Sequence, residues 1–432
     1  MMNRLRTVGS ASAAERNITP LQEPQYAPTV LLIVPQPFFE IRGSSFRVHA
    51  TVTALVELGY KVDVLVFGLG QPVEIDGVKI HRTRNVPGIS SVPIGPSWKK
   101  FVLDVVLLFT AIRLLSVHRY SSLHGIEDGG VIAAFCGRWK RIPYIVDMHS
   151  CMSAQIRDRG GVGSYLLSKV VSLLEFVCAK NAAAVMTVGT ARADFVASLG
   201  LATPTFVVED CALEISASVD PVQVSMLKKE LDLDCCKVIL YTGNLAPYQG
   251  VDILIRSFAE LTAQFARQPG HVPVKLVIVG NGEEEEAQKR EYETLLLEKQ
   301  IQDSVAFVGR RPPQQIGNFM ALADVLVSPR ASGDNTPHKV YSYLAAGKAI
   351  VATRIISHTQ VLDDRCAYLC EPEVGSFARS LAAALDESPE AITRRASRIE
   401  CAKNYSRQKY SRRSFVEKIK RLYDAVSALP PQ

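Results

Sequence analysis

Short apolar runs alternate with amphipathic segments through the first half of the chain. TVLLIVPQ, from Thr29, has the continuous apolar pattern of a buried strand, and FRVHATVTALVEL has the apolar spacing of a helix that Gly59 ends. KVDVLVFG, from Lys61, then resumes as a strand. Continuous apolar strands separated by helices are typical of a parallel sheet covered on both faces. The pattern therefore predicts a parallel α/β sheet whose further strands are Ser122–His124, Tyr144–Asp147, Ala184–Val188 and Thr205–Val208.

The same alternation starts again in the second half of the chain. KVILYTG is followed by a predicted helix at Val251–Phe265, the strand pattern KLVIVGNG, the run SVAFVGR, a helix at Pro313–Ala321 and the strand pattern DVLVSP. Periodicity lapses near Glu209–Val224, and an amphipathic segment at Arg412–Ala428 is predicted to pack across a domain junction. The predicted organisation is a disordered tail at 1–28, a first Rossmann-like domain at 29–210, a second at 211–408, and a closing helix at 409–432 that crosses back to the first.

Length and composition agree with two globular domains. The chain has 432 residues, of which 47% are apolar and 21% charged, and its net charge is +6. A basic balance suits an anionic ligand or an acidic membrane surface and does not choose between them. The sequence has no zinc-finger spacing and no basic stripe interleaved with aromatic residues, so nucleic acid is not an expected partner.

The cysteines and the apolar runs bear on location. Nine cysteines without a CxxC pair are typical of a reducing compartment, and the first 27 residues lack the apolar core of a secretory signal, so the cytoplasm is expected. The run Phe101–Ile112 contains Asp104 and is shorter than the ~18 residues that a spanning helix needs. Because basic residues flank it, it fits either a half-buried helix or a segment lying on the inner face of a membrane.

The stretch Val325–Thr353 carries a pattern for an anion site. Thr336 is a natural N-cap, Pro337 fits the first helical position, and Gly347 can close the helix. The amides at such a helix start favour phosphate, and Lys339 adds a full positive charge nearby. An ordinary capped turn between a strand and a helix explains the same residues.

Loops after the predicted strands should line a cleft between the domains, because open parallel sheets bind ligands at the carboxyl ends of their strands. A glycine in such a loop lets the backbone approach a ligand, although glycines are also ordinary turn residues. The loops concerned carry Gly43, His149, Gly243–Gly250, Gly280–Gly282, Gly309–Arg311 and Asp334–Lys339.

Several of these motifs, in this order, resemble the family four retaining glycosyltransferases. They are YTGNLAPYQGVDIL, VIVGNG, VAFVGR and YLAAGKAIVAT, and the similarity spans roughly Val30 to Ala428. The resemblance implies the GT-B fold, in which two Rossmann-like domains face each other across a cleft. It also implies that the second domain holds a nucleotide-sugar donor and the first an acceptor. The donor-binding residues implied are Gly243, Asn244, Gln249, Gly280, Gly282, Val308, Gly309, Arg310, Asn335, Thr336 and Ser342, the acceptor-binding residues Arg42, Gly43 and Ser44, and the catalytic residues His149, Asp334 and Lys339.

The chain departs from the family pattern near the expected diphosphate. Asn244 and Gln249 stand where many relatives have basic residues. Asp334 and Ser342 stand where the paired glutamates of the family motif are expected. We expect Lys339, Arg310, Arg311 and Arg330 to compensate by neutralising the departing nucleoside diphosphate without a metal.

The expected activity is a retaining, metal-independent transfer of sugar from a UDP- or GDP-linked donor to a glycan or lipid-linked acceptor, with no cofactor. A non-catalytic subunit that binds a nucleotide sugar and acts with a partner is the alternative, because Ser342 and Gln249 weaken the donor motif. A dehydrogenase is disfavoured, since no GxGxxG follows the first strand.

Overall fold

A computed structural model of the protein contains two parallel sheets and confirms the predicted fold class. It describes residues 27–40, 43–92, 97–150, 152–157, 161–212, 219–267, 270, 272–280 and 285–429. The predicted tail at 1–28 lies almost wholly outside the described residues.

The first sheet has seven strands in the order β3-β2-β1-β4-β5-β6-β7. The order reverses between β1 and β4, which leaves a crevice at the carboxyl ends of these two strands. The strands are β1 Thr29–Val34, β2 Lys61–Val66, β3 Val78–Arg82, β4 Ser122–Ile126, β5 Tyr144–Met148, β6 Ala184–Thr187 and β7 Thr205–Val207. The helices of this half are α1 Gly43–Glu57, α2 Trp98–Val117, α3 Gly129–Lys140, α4 Met152–Arg157, α5 Val162–Lys180 and α6 Thr190–Ser198.

The second sheet has six strands in the order β10-β9-β8-β11-β12-β13, and its crevice lies between β8 and β11. Its strands are β8 Lys237–Thr242, β9 Val274–Val279, β10 Val305–Gly309, β11 Val325–Ser328, β12 Ala349–Thr353 and β13 Tyr368–Cys370. The helices are α7 Pro221–Glu230, α8 Val251–Phe265, α9 Glu286–Lys299, α10 Pro313–Leu322, α11 His338–Ala345, α12 Ile356–Thr359, α13 Val374–Leu385, α14 Pro389–Lys409 and α15 Arg412–Ser427.

The buried strands follow directly from the apolar pattern. All five residues of β4 and all five of β12 are buried, as expected for strands covered by helices on both faces. The sequence pattern missed β3 and β13. Both lie at a sheet edge, and neither is fully buried, so their apolar signal is weak.

Helix α15 packs on the first domain although it follows the second in the chain. Phe415, Ile419, Leu422 and Tyr423 are buried in one core cluster with residues of α1, β1 and β2. Arg412, at the start of α15, donates to the Ala50 carbonyl of α1 at 2.8 Å. The described end of the chain therefore joins the two domains.

Two long helices of the first domain expose apolar side chains. Helix α2 buries Leu103 and Leu107 but leaves Phe101 and Phe109 largely exposed, so it is both packed on the domain and apolar on its outer side. Among the described residues, α5 is the one helix whose length and composition would suffice to cross a membrane. The sequence analysis did not single out α5, because Lys169 and Glu175 interrupt its apolar run.

Candidate active site

A cavity of about 820 Å³ lies between the two domains, at the carboxyl ends of their strands. Side chains and loops of both domains line it. The first domain supplies Gly43, Ser44 and His149. From the second domain, the predicted residues along its wall are Gly243, Asn244, Gln249, Gly280, Arg310, Asn335, Thr336, Lys339 and Ser342.

Three described residues of the predicted site do not line this wall. These are Val308, Gly309 and Asp334, which the structure describes but which are not part of the cavity lining. Arg42 and Gly282 lie outside the described residues. The structure therefore brings together most of the predicted donor site but not the aspartate assigned a catalytic role.

The helix start near Lys339 differs from the sequence prediction by one residue. Helix α11 begins at His338, and Pro337 is its N-cap, with an extended ψ of 135°. Thr336 therefore precedes the cap, and the predicted capping role of Thr336 is wrong. Gly347, with φ 70°, follows the last turn in the left-handed conformation that the sequence analysis assigned to it.

Lys339 projects from the first turn of α11 onto an aromatic ring. Its Nζ atom lies 3.9 Å from the centroid of the Tyr241 ring. The Nζ is buried and has no hydrogen-bond partner among the described residues. Burial, and next the nearby Arg330, lowers the pKa of Lys339 well below its usual value. The lysine is therefore a buried cation site without a counterion.

Two glycines form the floor beneath this lysine. A Cβ atom on Gly243 would lie 3.0 Å from the Tyr241 hydroxyl and 3.3 Å from Lys339 Nζ. A Cβ on Gly280 would lie 2.1 Å from the Gly243 carbonyl oxygen. Both residues also have positive φ angles, 144° and 118°. Only glycine fits at these positions, and the space above them stays open for a ligand.

Arg330 braces the loop that carries the predicted donor residues. Its guanidinium donates to the Ser332 carbonyl at 2.8 Å, the Asn335 carbonyl at 2.8 Å and Asn335 Oδ1 at 3.1 Å. It also lies 5.2 Å from the Tyr248 ring centroid. Arg330 thus fixes the loop before α11, and most of its donors are already used.

A buried ionic cluster faces the lysine from the first domain. Arg47 of α1 donates to Asp210 Oδ1 at 2.6 Å and to the Val208 carbonyl at 2.8 Å. Asp147, at the end of β5, lies 2.9 Å from His149 Nε2 and is fully buried. Burial opposes charge on Asp147, but His149 and Arg47 outweigh it and hold its pKa well below its usual range.

His149 Nε2 faces both a donor and an acceptor. Arg47 Nε approaches it at 3.1 Å and Asp147 Oδ2 at 2.9 Å. Burial disfavours the imidazolium, but the Asp147 carboxylate outweighs burial and raises the pKa of His149. Nε2 accepts from Arg47 when it carries no proton and donates to Asp147 when it does. His149 is thus held at the cavity wall by both neighbours.

Two acidic residues that the sequence analysis did not select also line the cavity. Glu127 and Asp128 follow β4, and Glu127 accepts a hydrogen bond from Ser150 Oγ at 2.9 Å. Burial raises the pKa of Glu127. Asp128 pairs with Lys100 of α2. Their position just after a predicted strand was the available signal for both residues.

Asp334 joins the two domains outside the cavity. Its carboxylate pairs with Arg192 of α6, and its carbonyl accepts a hydrogen bond from Gln360 Nε2 at 2.7 Å. Gln360 Oε1 in turn accepts from the Ala191 amide at 2.9 Å. The Asp334 side chain is 55% exposed. The loop before α11 is thereby tied to α6 of the first domain.

The described part of the chain holds no cluster of metal-binding side chains. No group of three or more His, Cys, Asp or Glu side chains among the described residues could hold a metal ion. Asp232, part of the D-x-D pair, is 94% exposed, pairs with Lys275 and precedes β8 at its amino end.

Two family models match the chain in tandem. The model described as "Glycosyl transferase 4-like domain" matches residues 42–209, and "Glycosyl transferases group 1" matches residues 227–404. The first match covers the first sheet except β1, and the second covers the whole second sheet. The chain belongs to the group 1 glycosyltransferases. It is therefore a retaining glycosyltransferase that uses a nucleotide sugar.

Curated relatives of this glycosyltransferase are distant. It is 24% identical over 307 residues to an uncharacterised glycosyltransferase of Methanocaldococcus jannaschii, covering 67% of this chain and 71% of that protein. It is 27% identical over 209 residues to lipopolysaccharide 1,2-N-acetylglucosaminetransferase of Salmonella typhimurium. The second match spans 46% of this chain and about half, 52%, of the relative.

A solved structure supports the fold of the glycosyltransferase. Anabaena HepE in complex with UDP-glucose superposes with a TM-score of 0.69 at 15% identity, covering 93% of this chain and 100% of that one. The GT-B fold expected from the resemblance is thereby confirmed.

Proposed function

We propose that this glycosyltransferase transfers a sugar from a UDP-linked donor, without a metal, to a lipid-linked acceptor of glycan synthesis. The observation that carries the donor half is the buried Lys339 Nζ, which has no partner among the described residues and lies over a floor of two glycines. Burial removes the water that would solvate the ammonium of Lys339. An anion that takes the place of this water stabilises the buried cation strongly. A diphosphate offers that anion.

The charges of the second domain fit a leaving diphosphate. Arg310 and Arg311 line the same cavity as Lys339, and the start of α11 adds backbone amides there. Negative charge develops on the leaving oxygen when the bond to the sugar breaks, and cations fixed in place stabilise it most. These groups supply the charge that a divalent metal would otherwise provide.

The donor base is proposed from the comparison with HepE, whose structure contains UDP-glucose. Gln249 Oε1 is buried at the cavity wall and has no hydrogen-bond partner among the described residues, so it offers an acceptor to the incoming nucleotide sugar. The HepE complex therefore supports UDP as the nucleotide of the donor.

The first domain supplies a polar acceptor side. Asp147 raises the pKa of His149 despite its burial, and His149 in turn opposes the rise that burial causes in the pKa of Glu127. A hydroxyl acceptor entering between Glu127 and the transferred sugar would donate to the carboxylate. Gly43 and Ser44, at the start of α1, line the opening beside it. The lipopolysaccharide relative supports a glycan carried on a lipid.

The same proposal places the enzyme in the cytoplasm, on the inner face of a membrane. Seven described cysteines, among them Cys136, Cys178 and Cys366, form no disulfide, as expected of a reducing compartment. Nucleotide binding and sugar transfer can be tested separately from location.

The test measures thermal stabilisation by UDP, GDP and their hexose conjugates, followed by hydrolysis of the stabilising donor. A ligand at 100 times its Kd should add about 2.7 kcal/mol to the free energy of unfolding. Stabilisation by UDP and slow hydrolysis of a UDP-sugar are expected, and 5 mM EDTA should change neither. Stabilisation by GDP alone, or loss of hydrolysis in EDTA, would contradict the proposal.

A further inference from the structure

Large exposed apolar side chains are concentrated on three helices of the first domain. Of 25 such side chains among the described residues, 16 lie on α2, α3 and α5, so they form a patch and are not scattered. The inner sides of these helices share one core cluster, and α3 contacts both α2 and α5. We call the outer side of the three helices the apolar face; it is represented by Phe101, Phe109, Phe135, Trp139, Leu166 and Leu173.

Positive charge accompanies this apolar face. The three helices carry seven basic and two acidic residues. One of the basic residues, Lys100, is largely buried against Asp128 and lines the cleft, and the other six remain for the outer side. Both acids have partners within the domain: Asp104 pairs with Lys100, and Glu175 accepts from the Met152 amide at 2.9 Å. Lysines also lie beside exposed aromatic rings. Lys140 Nζ, for example, lies 4.1 Å from the centroid of the Trp139 ring. Such a mixture of aromatic and basic groups matches the interface of an anionic bilayer.

A small side pocket connects the apolar face with the cleft. It has a volume of about 90 Å³ and is lined by Val131 of α3 and Leu174 of α5, both exposed on the apolar face. Glu127, Ser150 and Met152 line both this pocket and the main cavity. An apolar chain held at the face could therefore reach the acceptor side of the site without leaving the protein surface.

We propose that the apolar face rests on an anionic lipid bilayer, and that the side pocket guides the lipid part of the acceptor towards Glu127. Only the guidance of the acceptor rests on the proposed function; the docking itself does not. Helix α5 lies on the bilayer and does not cross it, because Cys178 and Ala179 anchor it in the core and Lys169 and Glu175 interrupt its apolar run.

A second copy of the chain is a poorer occupant. A two-fold contact would place this face against itself, so its excess positive charge would meet the same excess on the partner. Anionic lipid headgroups would instead neutralise the basic residues.

Sedimentation with vesicles tests the docking. The full-length protein is mixed with vesicles of phosphatidylcholine containing 30% phosphatidylglycerol, or with pure phosphatidylcholine, at 0.1 and 0.5 M NaCl. We expect binding to the anionic vesicles that salt weakens. The double variant Phe109→Gln with Leu173→Gln should bind at least about tenfold more weakly, because two apolar side chains are lost from the interface. Lys140→Glu with Lys169→Glu should weaken binding to anionic vesicles by a similar factor.

Val222→Gln with Met226→Gln is the matched control, since both residues are similarly exposed on α7 of the second domain. This variant should bind vesicles like the wild type. Equal binding of all variants, no binding to anionic vesicles, or a dimer in solution that Phe109→Gln with Leu173→Gln dissolves would overturn the proposal. Stabilisation by UDP is measured on every variant, so that failure of the donor assignment is read independently of failure to bind lipid.

Discussion

The Lys339 ammonium lies 3.9 Å from the centroid of the Tyr241 ring and has no hydrogen-bond partner in the described part of the chain. The face of an aromatic ring attracts a cation, but it does not replace the water that burial removes. The ligand-free enzyme therefore holds a destabilising group at the floor of its cleft. Binding an anion there removes the penalty, which links stability to donor recognition.

Replacing Lys339 with methionine should separate stability from binding. We expect Lys339→Met to leave the free energy of unfolding of the ligand-free enzyme unchanged or to raise it by about 1 kcal/mol, because a buried amine without a hydrogen-bond partner among the described residues is lost. The Kd for UDP should rise about 10- to 100-fold, the loss of a charge-assisted hydrogen bond. Urea unfolding and calorimetric titration measure the two effects.

Lys348→Met is the matched control for this substitution. Lys348 is also partly buried, burial also lowers its pKa, and it donates to the Ala321 carbonyl at 2.9 Å, but it does not line the cavity. We expect a small loss of stability and an unchanged Kd for UDP. A similar loss of UDP affinity in both variants would show that Lys339 acts indirectly.

Donor binding should also take up a proton. Burial, followed by Arg330, depresses the pKa of Lys339 in the free enzyme, whereas a bound diphosphate would raise it. Between these two pKa values the complex holds more protons than the free enzyme, so UDP affinity should fall as pH rises, by up to about tenfold per unit. Calorimetry above pH 7.5, in two buffers of different ionisation enthalpy, measures this uptake, and Lys339→Met should abolish it. Uptake that persists in Lys339→Met would assign it to another group.

Much of the fold could be predicted because its signals are local. The helix Val251–Phe265 has the bounds predicted for it, and the predicted helix Arg412–Ala428 differs from α15 by one residue. Amphipathic spacing and flanking turn residues determine both. The start of α11 was misplaced because Thr336 and Pro337 satisfy the rules for a cap and a first turn, yet Pro337 takes an extended ψ of 135°.

The site could be predicted only where it follows strands. Loops after β8, β9 and β11 brought Gly243, Gly280 and Lys339 together as expected. Arg47 was missed because it lies within α1, where a buried arginine looks like any polar helix residue until Asp147 and Asp210 are placed beside it. Ion pairs between residues a hundred or more positions apart leave no local pattern in a sequence.

The Asp147 carboxylate should be essential to the first domain's side of the cleft. In Asp147→Asn, Arg47 and His149 lose a shared buried carboxylate, so we expect the free energy of unfolding to fall by about 3 kcal/mol. His149, whose pKa Asp147 raises despite burial, stabilises the wild type fully below pH ~6.5, and this contribution is lost as pH rises through its folded-state pKa. Urea unfolding from pH 5.5 to 9 measures the free energy of unfolding at each pH. Its dependence on pH should be smaller in Asp147→Asn than in the wild type.

Asp63→Asn is the control for this prediction. Asp63 also pairs with a histidine, His81, at 2.9 Å and accepts from the Tyr120 hydroxyl at 2.7 Å, but it lies outside the cavity wall. Asp63→Asn should lower the free energy of unfolding. Its rate of sugar transfer should equal that of the wild type at a temperature where both variants are folded. Full sugar transfer by folded Asp147→Asn would show that the cluster is structural only.

The ion pair between Arg192 and Asp334 gives the sharpest test of which residues act on the sugar. The place of Asp334 outside the cavity indicates that it serves mainly to tie the two domains. In that case Arg192→Ala and Asp334→Ala should each lower kcat/KM by a similar factor, about 3- to 10-fold. The double variant should then be no worse than either single variant. If Asp334 instead contacts the donor sugar, Asp334→Ala should lose about 100-fold or more, whereas Arg192→Ala stays near the wild type. Steady-state kinetics of the four proteins decide between these outcomes. Small-angle scattering supplies the structural check, because both single variants should show a larger radius of gyration once the domains separate more freely.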